Sequence, residues 1–343
     1  MQVAYKLVNE LWEGLPPRQR EIITGRYGLD KFSEPQTLAA LGDRYGITRE
    51  RVRQIEAGTI AAIKERVLET PALVELLDHG KKYLRVSGGV SKADALLTHQ
   101  RSFVDGITDR HLLLLINATG AFSFHPEDEE FWPFYYLEPA SFKTASQTID
   151  GLVKSLRAKK EEVLLGEYES HVKAFGKKED VAPGVLQNTL AISKRLGINP
   201  YGSKGLTEWP EINPSTIRDR IYLVLKKEGK PLHFESIASE INKAGFNSRP
   251  ALVPTVHNEL IKDERFVLVG RGMYALSEHG FEPGTAKEVI QKILKNKGAM
   301  GAQEVVLAVQ KERFFKANTV LANLQNKQLF KRRDDGKYQM RES

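Results

Sequence analysis

The chain has 343 residues and no cysteine, and its 51 Lys and Arg against 44 Asp and Glu leave a net charge of +7. A chain of this length is too long to fold around one ordinary hydrophobic core, which predicts about two to five small domains. The absence of cysteine excludes disulfides and thiolate zinc sites. The absence of a long apolar run and of a secretion signal predicts a cytoplasmic, nucleoid-associated protein without membrane contact, and the positive charge favours a polyanionic partner.

The most informative segment is predicted to form two short helices hinged at Gly46. Thr48 stands where an N-cap belongs, and the second helix carries Arg, Glu and Gln side chains in its first two turns. Val52, Ile55 and Ile60 fall toward one side and can pack on Leu38, Leu41 and Tyr45 of the first helix, so the polar side chains point away.

This arrangement predicts a helix-turn-helix whose second helix enters the DNA major groove. Arg can bind guanine, Glu can accept from cytosine, and Gln can bridge adenine. A solvated charged helix in an ordinary helical domain is the plainer alternative. The predicted DNA-binding residues of this helix are Thr48, Arg49, Glu50, Arg51, Arg53 and Gln54.

Residues about 10–68 closely resemble region 4 of bacterial RNA polymerase sigma factors. The resemblance implies a domain that reads the −35 promoter element and docks on the polymerase flap, with Arg49, Glu50 and Gln54 on bases and Arg53 on phosphate. It also makes Ile22, Ile23 and Tyr27 candidates to face the polymerase, although these residues equally suit a plain core. The motifs that carry the resemblance are Leu15-Pro-Pro-Arg-Gln-Arg-Glu-Ile-Ile, Arg26-Tyr-Gly-Leu29, Thr37-Leu38 and Thr48-Arg-Glu-Arg-Val-Arg-Gln-Ile-Glu-Ala57.

The segment also departs from the sigma pattern. Family members usually carry acidic residues where this chain has Ala39 and Ala40, and a basic run where it has Gly58-Thr-Ile-Ala-Ala62. Residues 1–78 hold 11 Lys and Arg against 12 Asp and Glu, a low positive charge for a module that binds DNA alone. Since nothing elsewhere resembles the segment that melts the −10 element, we interpret residues 1–78 as a borrowed promoter-reading module.

The middle of the chain is predicted to hold a winged-helix-like unit at residues 79–140. Helical patterns at 93–97 and 109–117 precede an aromatic run at 122–136 that suggests a hairpin. The acidic tip of this run, Glu127-Asp-Glu-Glu130, would repel phosphate, so a protein-facing role is favoured there. Residues 141–212 are predicted to be a helical segment followed by a linker.

The C-terminal third is basic and contains an internal repeat. Residues 213–343 hold 23 Lys and Arg against 15 Asp and Glu, and Leu225-Lys-Lys-Glu-Gly229 recurs as Leu294-Lys-Asn-Lys-Gly298. Each repeat has the pattern of three helices followed by a β-hairpin, which predicts tandem winged helices at residues 213–281 and 282–343.

The first of these repeats resembles the HARE-HTH domain, a family found in the RNA polymerase delta subunit, in chromatin proteins and beside restriction-modification modules. The resemblance implies a nucleic-acid-linked role, carried by Thr216-Ile-Arg-Asp-Arg-Ile, Gly229-Lys-Pro-Leu-His, Ile237-Ala-Ser-Glu-Ile and Gly270-Arg-Gly-Met-Tyr-Ala-Leu276. Protein binding, or lysines that only solubilise the surface, is the alternative. The predicted DNA contacts are Arg249, His257, Asn258, Lys262 and Arg271 in the first repeat. In the second they are Lys316, Asn318, Asn323, Lys331, Arg332, Arg333 and Lys337.

The sequence as a whole predicts a mainly α, multidomain protein in which a sigma region 4-like helix-turn-helix precedes winged-helix units. No catalytic constellation, cofactor or metal site is predicted, so we expect a non-enzymatic protein. The predicted function is sequence-specific binding of double-stranded DNA in transcription initiation or its regulation, with core RNA polymerase as a candidate partner. Two alternatives stay open: a restriction- or phage-defence-associated DNA sensor, and a polymerase-binding decoy inhibitor.

Overall fold

The structure is a computed structural model that describes residues 2–29, 34–246, 249–280, 285–312 and 315–341. The chain divides into two compact units, Met1–Leu196 and Gly197–Ser343. Helices dominate both units and the strands are short, so the mainly α fold predicted from the sequence is confirmed. The predicted domain boundary between residues 281 and 282 lies outside the described residues.

The N-terminal part of the first unit, residues 2–69, is called the head. Its third helix begins after Thr37, whose hydroxyl accepts a hydrogen bond from the N–H of Ala40 at 3.1 Å. That helix ends at Gly46, which adopts the left-handed conformation at φ 63° that favours glycine. The elements of the head are β1 (Gln2–Val3), α1 (Ala4–Leu11), α2 (Pro17–Tyr27), α3 (Leu38–Tyr45) and α4 (Arg49–Glu69).

The helix-turn-helix formed by α3 and α4 has a small core of its own. Ile22 of α2, Leu41 of α3 and Val52 of α4 are fully buried in it. Ile55 packs against this core as predicted, whereas Ile60 packs instead against a larger core farther along α4. The small core sets the angle between α3 and α4 and the rotation of α4 about its axis.

The next segment of the first unit is a winged helix. Its sheet has the strand order β2-β5-β4 and is antiparallel, and β3 pairs in parallel with β1 of the head. The order helix, strand, helix, helix, strand, strand is that of a winged helix. Its elements are α5 (Pro71–Val86), β2 (Val90–Lys92), α6 (Ala93–Arg101), β3 (Val104–Asp105), α7 (Asp109–Thr119), β4 (Ser123–His125) and β5 (Phe134–Tyr136).

The head and this first winged helix share one hydrophobic core. Ile63 and Val67 from the second half of α4 belong to the same buried cluster as Leu76, Leu112 and Tyr135. The predicted boundary between residues 78 and 79 falls inside α5 and is therefore corrected, because α5 packs on both sides of that position.

Residues 139–209 are folded, and the segment predicted as a linker is structured. Asn199 accepts backbone hydrogen bonds from Tyr201 and Ser203 at 2.9 Å each, and Trp209 is buried. A short hairpin therefore occupies the first part of the predicted linker. The elements are α8 (Pro139–Ala158), α9 (Lys160–Glu162), a π-helical turn (Val163–Glu167), α10 (Tyr168–Lys178), α11 (Pro183–Ala191), β6 (Leu196–Ile198) and β7 (Lys204–Leu206).

The second unit contains the predicted repeat as two further winged helices. Gly229 and Gly298, matched by the repeat, follow the last residues of the first helix of each. The second winged helix comprises α12 (Ile217–Glu228), β8 (Leu232–His233), α13 (Phe234–Lys243), α14 (Val253–Lys262), β9 (Phe266–Gly270) and β10 (Met273–Leu276). The third comprises α15 (Ala286–Lys297), α16 (Ala302–Glu312), α17 (Ala317–Leu324), β11 (Phe330–Arg332) and β12 (Tyr338–Met340).

All three winged helices have the same strand arrangement. The second has the order β8-β10-β9, which repeats the order of the first. In the third, Met300 forms an isolated bridge to Tyr338 at the position that the first strand takes in the other two. In each winged helix, the helix just before the hairpin is therefore the one that can be offered to DNA.

Candidate nucleic-acid interface

The first turns of α4 form an exposed polar face. The Thr48 hydroxyl accepts a hydrogen bond from the N–H of Arg51 at 3.1 Å and so caps the helix. Val52, fully buried against Leu41, fixes which side of the helix faces solvent. The predicted residues that lie exposed on this face are Thr48, Arg49, Glu50, Arg51, Arg53 and Gln54.

Four of these side chains are paired with one another. The Arg53 guanidinium donates two hydrogen bonds to the Glu50 carboxylate, at 2.8 and 2.7 Å, and this contact lowers the pKa of Glu50. Arg51 donates to the side-chain oxygen of Gln54 at 3.1 Å. Because all four groups are exposed, these contacts hold the side chains in place weakly and can be exchanged for contacts to a ligand.

The structure corrects the expectation for two of the predicted polymerase-facing residues. Ile22 and Ile23 have no solvent-exposed surface, since Ile22 lies in the helix-turn-helix core and Ile23 in the larger shared core. The alternative of a plain core holds for both. Tyr27 is half-buried, its hydroxyl accepts a hydrogen bond from Asn117 at 3.1 Å, and burial raises its pKa.

The third helix of the first winged helix, α7, is covered by the head. Besides the Asn117 contact, Arg110 donates to the carbonyl oxygen of Gly28 at 2.8 Å and to the Glu34 carboxylate at 2.9 Å. Leu112 and Leu115 of α7 are buried in the shared core. In this unit the helix that a winged helix can offer to DNA is therefore occupied by an internal contact.

The wing of the same unit is acidic and tied down. The backbone N–H of Trp132 donates to the carbonyl oxygen of Ile192 at 2.8 Å, and the backbone N–H of Lys194 donates to the carbonyl oxygen of Glu130 at 2.8 Å. The ammonium of Lys194 also pairs with the Glu127 carboxylate at 2.6 Å. Neither the charge of this wing nor its attachment suits a phosphate contact.

In the second winged helix most of the predicted contacts are exposed, but His257 is not free. Its ring packs against Phe234 at 4.6 Å and against Tyr274 at 6.1 Å between ring centroids. His257 is half-buried and contributes to the packing of this winged helix. The exposed members are Arg249, Asn258, Lys262 and Arg271.

The second winged helix also exposes large apolar side chains. Leu252 and Ile261, at the two ends of α14, are 66 and 64% exposed, and Leu268 of β9 is 50% exposed. The second winged helix therefore offers fewer polar groups to DNA than the sequence alone suggested.

The third winged helix presents a dense group of exposed cations. Arg333 donates its backbone N–H to the carbonyl oxygen of Lys337 at 2.8 Å, which closes the hairpin. Asn323 is engaged within its own helix, because its side chain donates to the carbonyl oxygen of Thr319 at 2.8 Å. Among the residues that the structure describes, no ion pair involves the exposed cations Lys316, Lys331, Arg332, Arg333 and Lys337.

The sequence interpretation missed two further cations of this unit. Lys327 and Arg341 are exposed, and Arg341 donates to the carbonyl oxygen of Lys327 at 2.8 Å. Both line a groove of about 850 Å³ beside the β11–β12 hairpin. No local sequence pattern indicates that these two residues are close together, because they are far apart in the chain. The net positive charge of the C-terminal third was the one signal that indicated a cationic surface in this region.

One cluster elsewhere has the composition of a metal site. Atoms of Glu162, Glu167 and His171 lie within 4.8 Å of one another at the kink formed by Gly166. The Lys159 ammonium is 2.7 Å from the Glu162 carboxylate, and the His171 ring is 3.2 Å from it. We interpret the cluster as an ion-pair network, since a cation already neutralises the charge that a metal ion would need.

Among the described residues, no helix is both long and apolar enough to span a membrane. The comparisons with known proteins match two separate segments of the chain. Residues 13–65 match the family described as sigma-70, region 4. Residues 215–279 match the HARE-HTH family, the helix-turn-helix domain described for ASXL and restriction endonuclease proteins. No solved structure matches.

Individual sigma factors are similar to this chain over a short stretch. RNA polymerase sigma factor SigA1 of Synechococcus elongatus is 40% identical over 67 residues, which cover 18% of this chain and 16% of the relative. The principal sigma factor HrdD of Streptomyces coelicolor is 40% identical over 63 residues, covering 18 and 19%. The chloroplastic sigF of Arabidopsis thaliana is 35% identical over 60 residues, covering 18 and 11%.

The chain thus spans less than a fifth of the length of each of these relatives. The geometry of the capped helix α4 agrees with the first family match, and the β8-β10-β9 winged helix agrees with the second. The protein joins a sigma-70 region 4 helix-turn-helix to a HARE-HTH winged helix in one chain.

Proposed function

We propose that this protein binds double-stranded DNA in a sequence-specific manner and acts in transcription initiation or its regulation. In this proposal the first turns of α4 lie in the major groove, and the third winged helix adds contacts to phosphates. The observation that carries the proposal is the capped start of α4, where Arg49, Glu50, Arg53 and Gln54 are all exposed on one short stretch of helix. The similarity of the head to sigma factors supports the link to transcription.

The pair formed by Glu50 and Arg53 suggests how docking proceeds. A DNA phosphate can replace the Glu50 carboxylate on the Arg53 guanidinium, since both are anions that accept two parallel hydrogen bonds. Glu50 is then free to accept from the amino group of cytosine, and Gln54 can leave Arg51 to bridge adenine. The internal pairs keep these groups close to their working positions before DNA arrives.

The basic third winged helix explains how a nearly neutral head can be part of a DNA-binding protein. Lys331, Arg332, Arg333 and Lys337 are unpaired among the described residues and can neutralise phosphates of any sequence. When two DNA-binding sites lie on one chain, binding at one raises the effective concentration of DNA at the other. Neither the head nor the third winged helix therefore needs high affinity on its own. The exposed Arg249, Lys262 and Arg271 would contribute in the same way, and Asn258 would add an uncharged hydrogen bond. This contribution would be weaker, because the same winged helix also exposes Leu252, Ile261 and Leu268.

The test is selection from a random duplex library by the purified full chain, followed by titration of the selected and a scrambled duplex. We expect Gln54→Ala to weaken the selected duplex by 1–3 kcal/mol, roughly 5- to 150-fold, and to leave the scrambled duplex unchanged. The triple variant Lys331/Arg332/Arg333→Ala should weaken both duplexes and make the log–log salt slope shallower by roughly 2–3. Equal effects of both variants on both duplexes would contradict this division of labour.

A polymerase-binding decoy is the second candidate, and the 11 Lys and Arg against 12 Asp and Glu of residues 1–78 favour it. Such a protein would hold core polymerase without promoter DNA. Pull-down of core RNA polymerase, with and without a duplex of the selected sequence, separates the two. Retention that the duplex strengthens supports a promoter-reading role. Retention that the duplex leaves unchanged, together with no sequence choice in the selection, supports a decoy.

A further inference from the structure

We propose that the groove beside the hairpin of the third winged helix binds a single nucleic-acid strand. This inference rests on the proposed nucleic-acid role of the C-terminal tail, but not on base reading by the head. The groove has a volume of about 850 Å³ and lies between the end of α17 and the β11–β12 hairpin. Leu324 and Phe330, both buried members of the unit's core, form its floor.

The charge of the groove selects an anionic ligand. Lys327, Lys331, Arg332 and Arg341 line it, and no carboxylate of the described residues does. None of the four is in an ion pair within the described part of the chain. The Arg341 guanidinium is already oriented, because it donates to the carbonyl oxygen of Lys327 at 2.8 Å and keeps its other N–H groups for a ligand. Lys331 and Arg332 are neighbours on β11 and therefore point to opposite faces of the hairpin. Lys327, Arg332 and Arg341 are the cations that carry the argument for a phosphate ligand, because no carboxylate among the described lining residues opposes them.

The remaining lining suits unpaired bases. Tyr338 is half-buried and contributes a ring to the groove wall, and an aromatic face stacks on a base of any sequence. Gln325, at the end of α17, also lines the groove, and a glutamine amide can bind the edge of an unpaired base. A concave recess of this size is comparable to pockets that enclose small ligands, so it can enclose splayed nucleotides. A stiff duplex would touch only its rim.

The cations predicted for duplex contact divide into two sets, because Lys331 and Arg332 line the groove whereas Arg333 and Lys337 do not. Arg333 and Lys337 close the turn of the hairpin, and neither lines the groove. The third winged helix therefore has two sets of cations, one at the turn and one in the groove. This separation provides a matched pair of variants, since each set can lose two charges without touching the other.

The experiment uses the full chain and fluorescence anisotropy with a labelled oligothymidylate and with a scrambled duplex of equal length. We expect Lys327→Gln/Arg341→Gln to weaken oligothymidylate binding roughly tenfold or more and duplex binding by less than about threefold. Arg333→Gln/Lys337→Gln should show the reverse order. Circular dichroism melting checks that both variants remain folded.

A second measurement is independent of charge. An oligonucleotide that carries 5-iodouracil is photocross-linked to the unmodified protein, and we expect mass spectrometry to place the cross-link on Tyr338. Equal weakening of both ligands by both variants, or cross-links only outside the groove, would overturn the proposal. The Gln54→Ala variant separates the two proposals, because loss of sequence choice by the head should leave oligothymidylate binding unchanged.

Discussion

The guanidinium of Arg110 donates a hydrogen bond to the carbonyl oxygen of Gly28 across 2.8 Å. Gly28 is the left-handed residue that ends α2, with φ 60°, and Arg110 lies in the first turn of α7. A winged helix thus uses its third helix to hold the end of α2 in the neighbouring head. This contact relates the first winged helix to the head and removes α7 from the surfaces available to DNA.

Removing this contact should loosen the head. We expect Arg110→Ala to lower the free energy of unfolding of the first unit by about 1–2 kcal/mol, because a partly buried carbonyl loses a charged donor. Urea unfolding followed by circular dichroism measures the change. Arg85→Ala is the control, since Arg85 is an exposed arginine near the end of α5. An equal loss in both variants would mean that Arg110 acts only through its general charge.

The cap of α4 should matter for both stability and binding. Thr48→Ala removes the hydroxyl that accepts from the N–H of Arg51, and we expect a loss of about 1 kcal/mol. Thr48→Ser keeps the acceptor and should stay close to the native protein. Hydrogen exchange of the amides in the first turn of α4 provides the local readout. Faster exchange in both variants would show that the hydroxyl is not what orders this turn.

Gly42 should tolerate no side chain. A Cβ atom at this position would lie 2.7 Å from the carbonyl oxygen of Ile47, so the turn between α3 and α4 would have to move. We expect Gly42→Ala to cost roughly 1–3 kcal/mol and to abolish sequence selection by the head.

The matched control for that variant is Gly58→Ala, in which the added Cβ meets no atom within 4 Å. Gly58 lies within α4, so alanine there should stabilise the protein by about 0.5–1 kcal/mol through helix propensity. Thermal unfolding of both variants, with duplex titration, distinguishes the two effects. Stabilisation by both substitutions would contradict this prediction, because it would mean that the turn accommodates a Cβ atom at Gly42 without moving.

The first unit should lose stability in mild acid through His111. Burial lowers the pKa of this imidazole, whose Nδ1 accepts a hydrogen bond from the backbone N–H of Thr108 at 3.3 Å. Below about pH 6.5 the unfolded state therefore binds more protons than the folded state. The free energy of unfolding should fall as the pH drops through that value, until the lower pKa of the folded state is reached.

His111→Gln tests this dependence, because glutamine at the same position of the capping box accepts the same hydrogen bond without titrating. We expect the variant to lose less stability than the native protein when urea unfolding is compared at about pH 7.5 and pH 5. His279→Gln, at an exposed position of the second unit, should leave the pH dependence of the first unit unchanged. Identical pH slopes for the native protein and His111→Gln would rule out His111 as the cause.

The parts of the fold that the sequence predicted depend on local signals. Thr48 and Gly46 mark the ends of two adjacent helices by their own chemistry, and the apolar spacing that includes Val52 places α4 in the correct rotation. The winged helices of the second unit were predictable because a repeat showed the pattern twice, with Gly229 and Gly298 in matching positions. Each of these signals acts within a few residues of the chain.

Contacts between distant segments had no such signal. Arg110 and Gly28 are 82 residues apart, and no pattern near either residue indicates the other. An apolar helix face in a sequence indicates that it is buried, but it does not identify the element or partner that buries it. For this reason Ile22 and Ile23 were compatible both with an internal core and with a polymerase-binding surface. His257 is the same case, since its neighbour Asn258 is exposed while a ring from α13 covers the histidine.

The 21 residues of α4 begin at the exposed polar face and end among the buried side chains of the first winged helix. A fragment cut after residue 70 would leave Ile63 and Val67 facing water, at a cost of several kcal/mol and with exposed surface that promotes aggregation. We therefore expect the sigma-like segment to be unstable when it is excised alone. A fragment that extends past Tyr135, whose side chain belongs to the same core, would keep these residues buried.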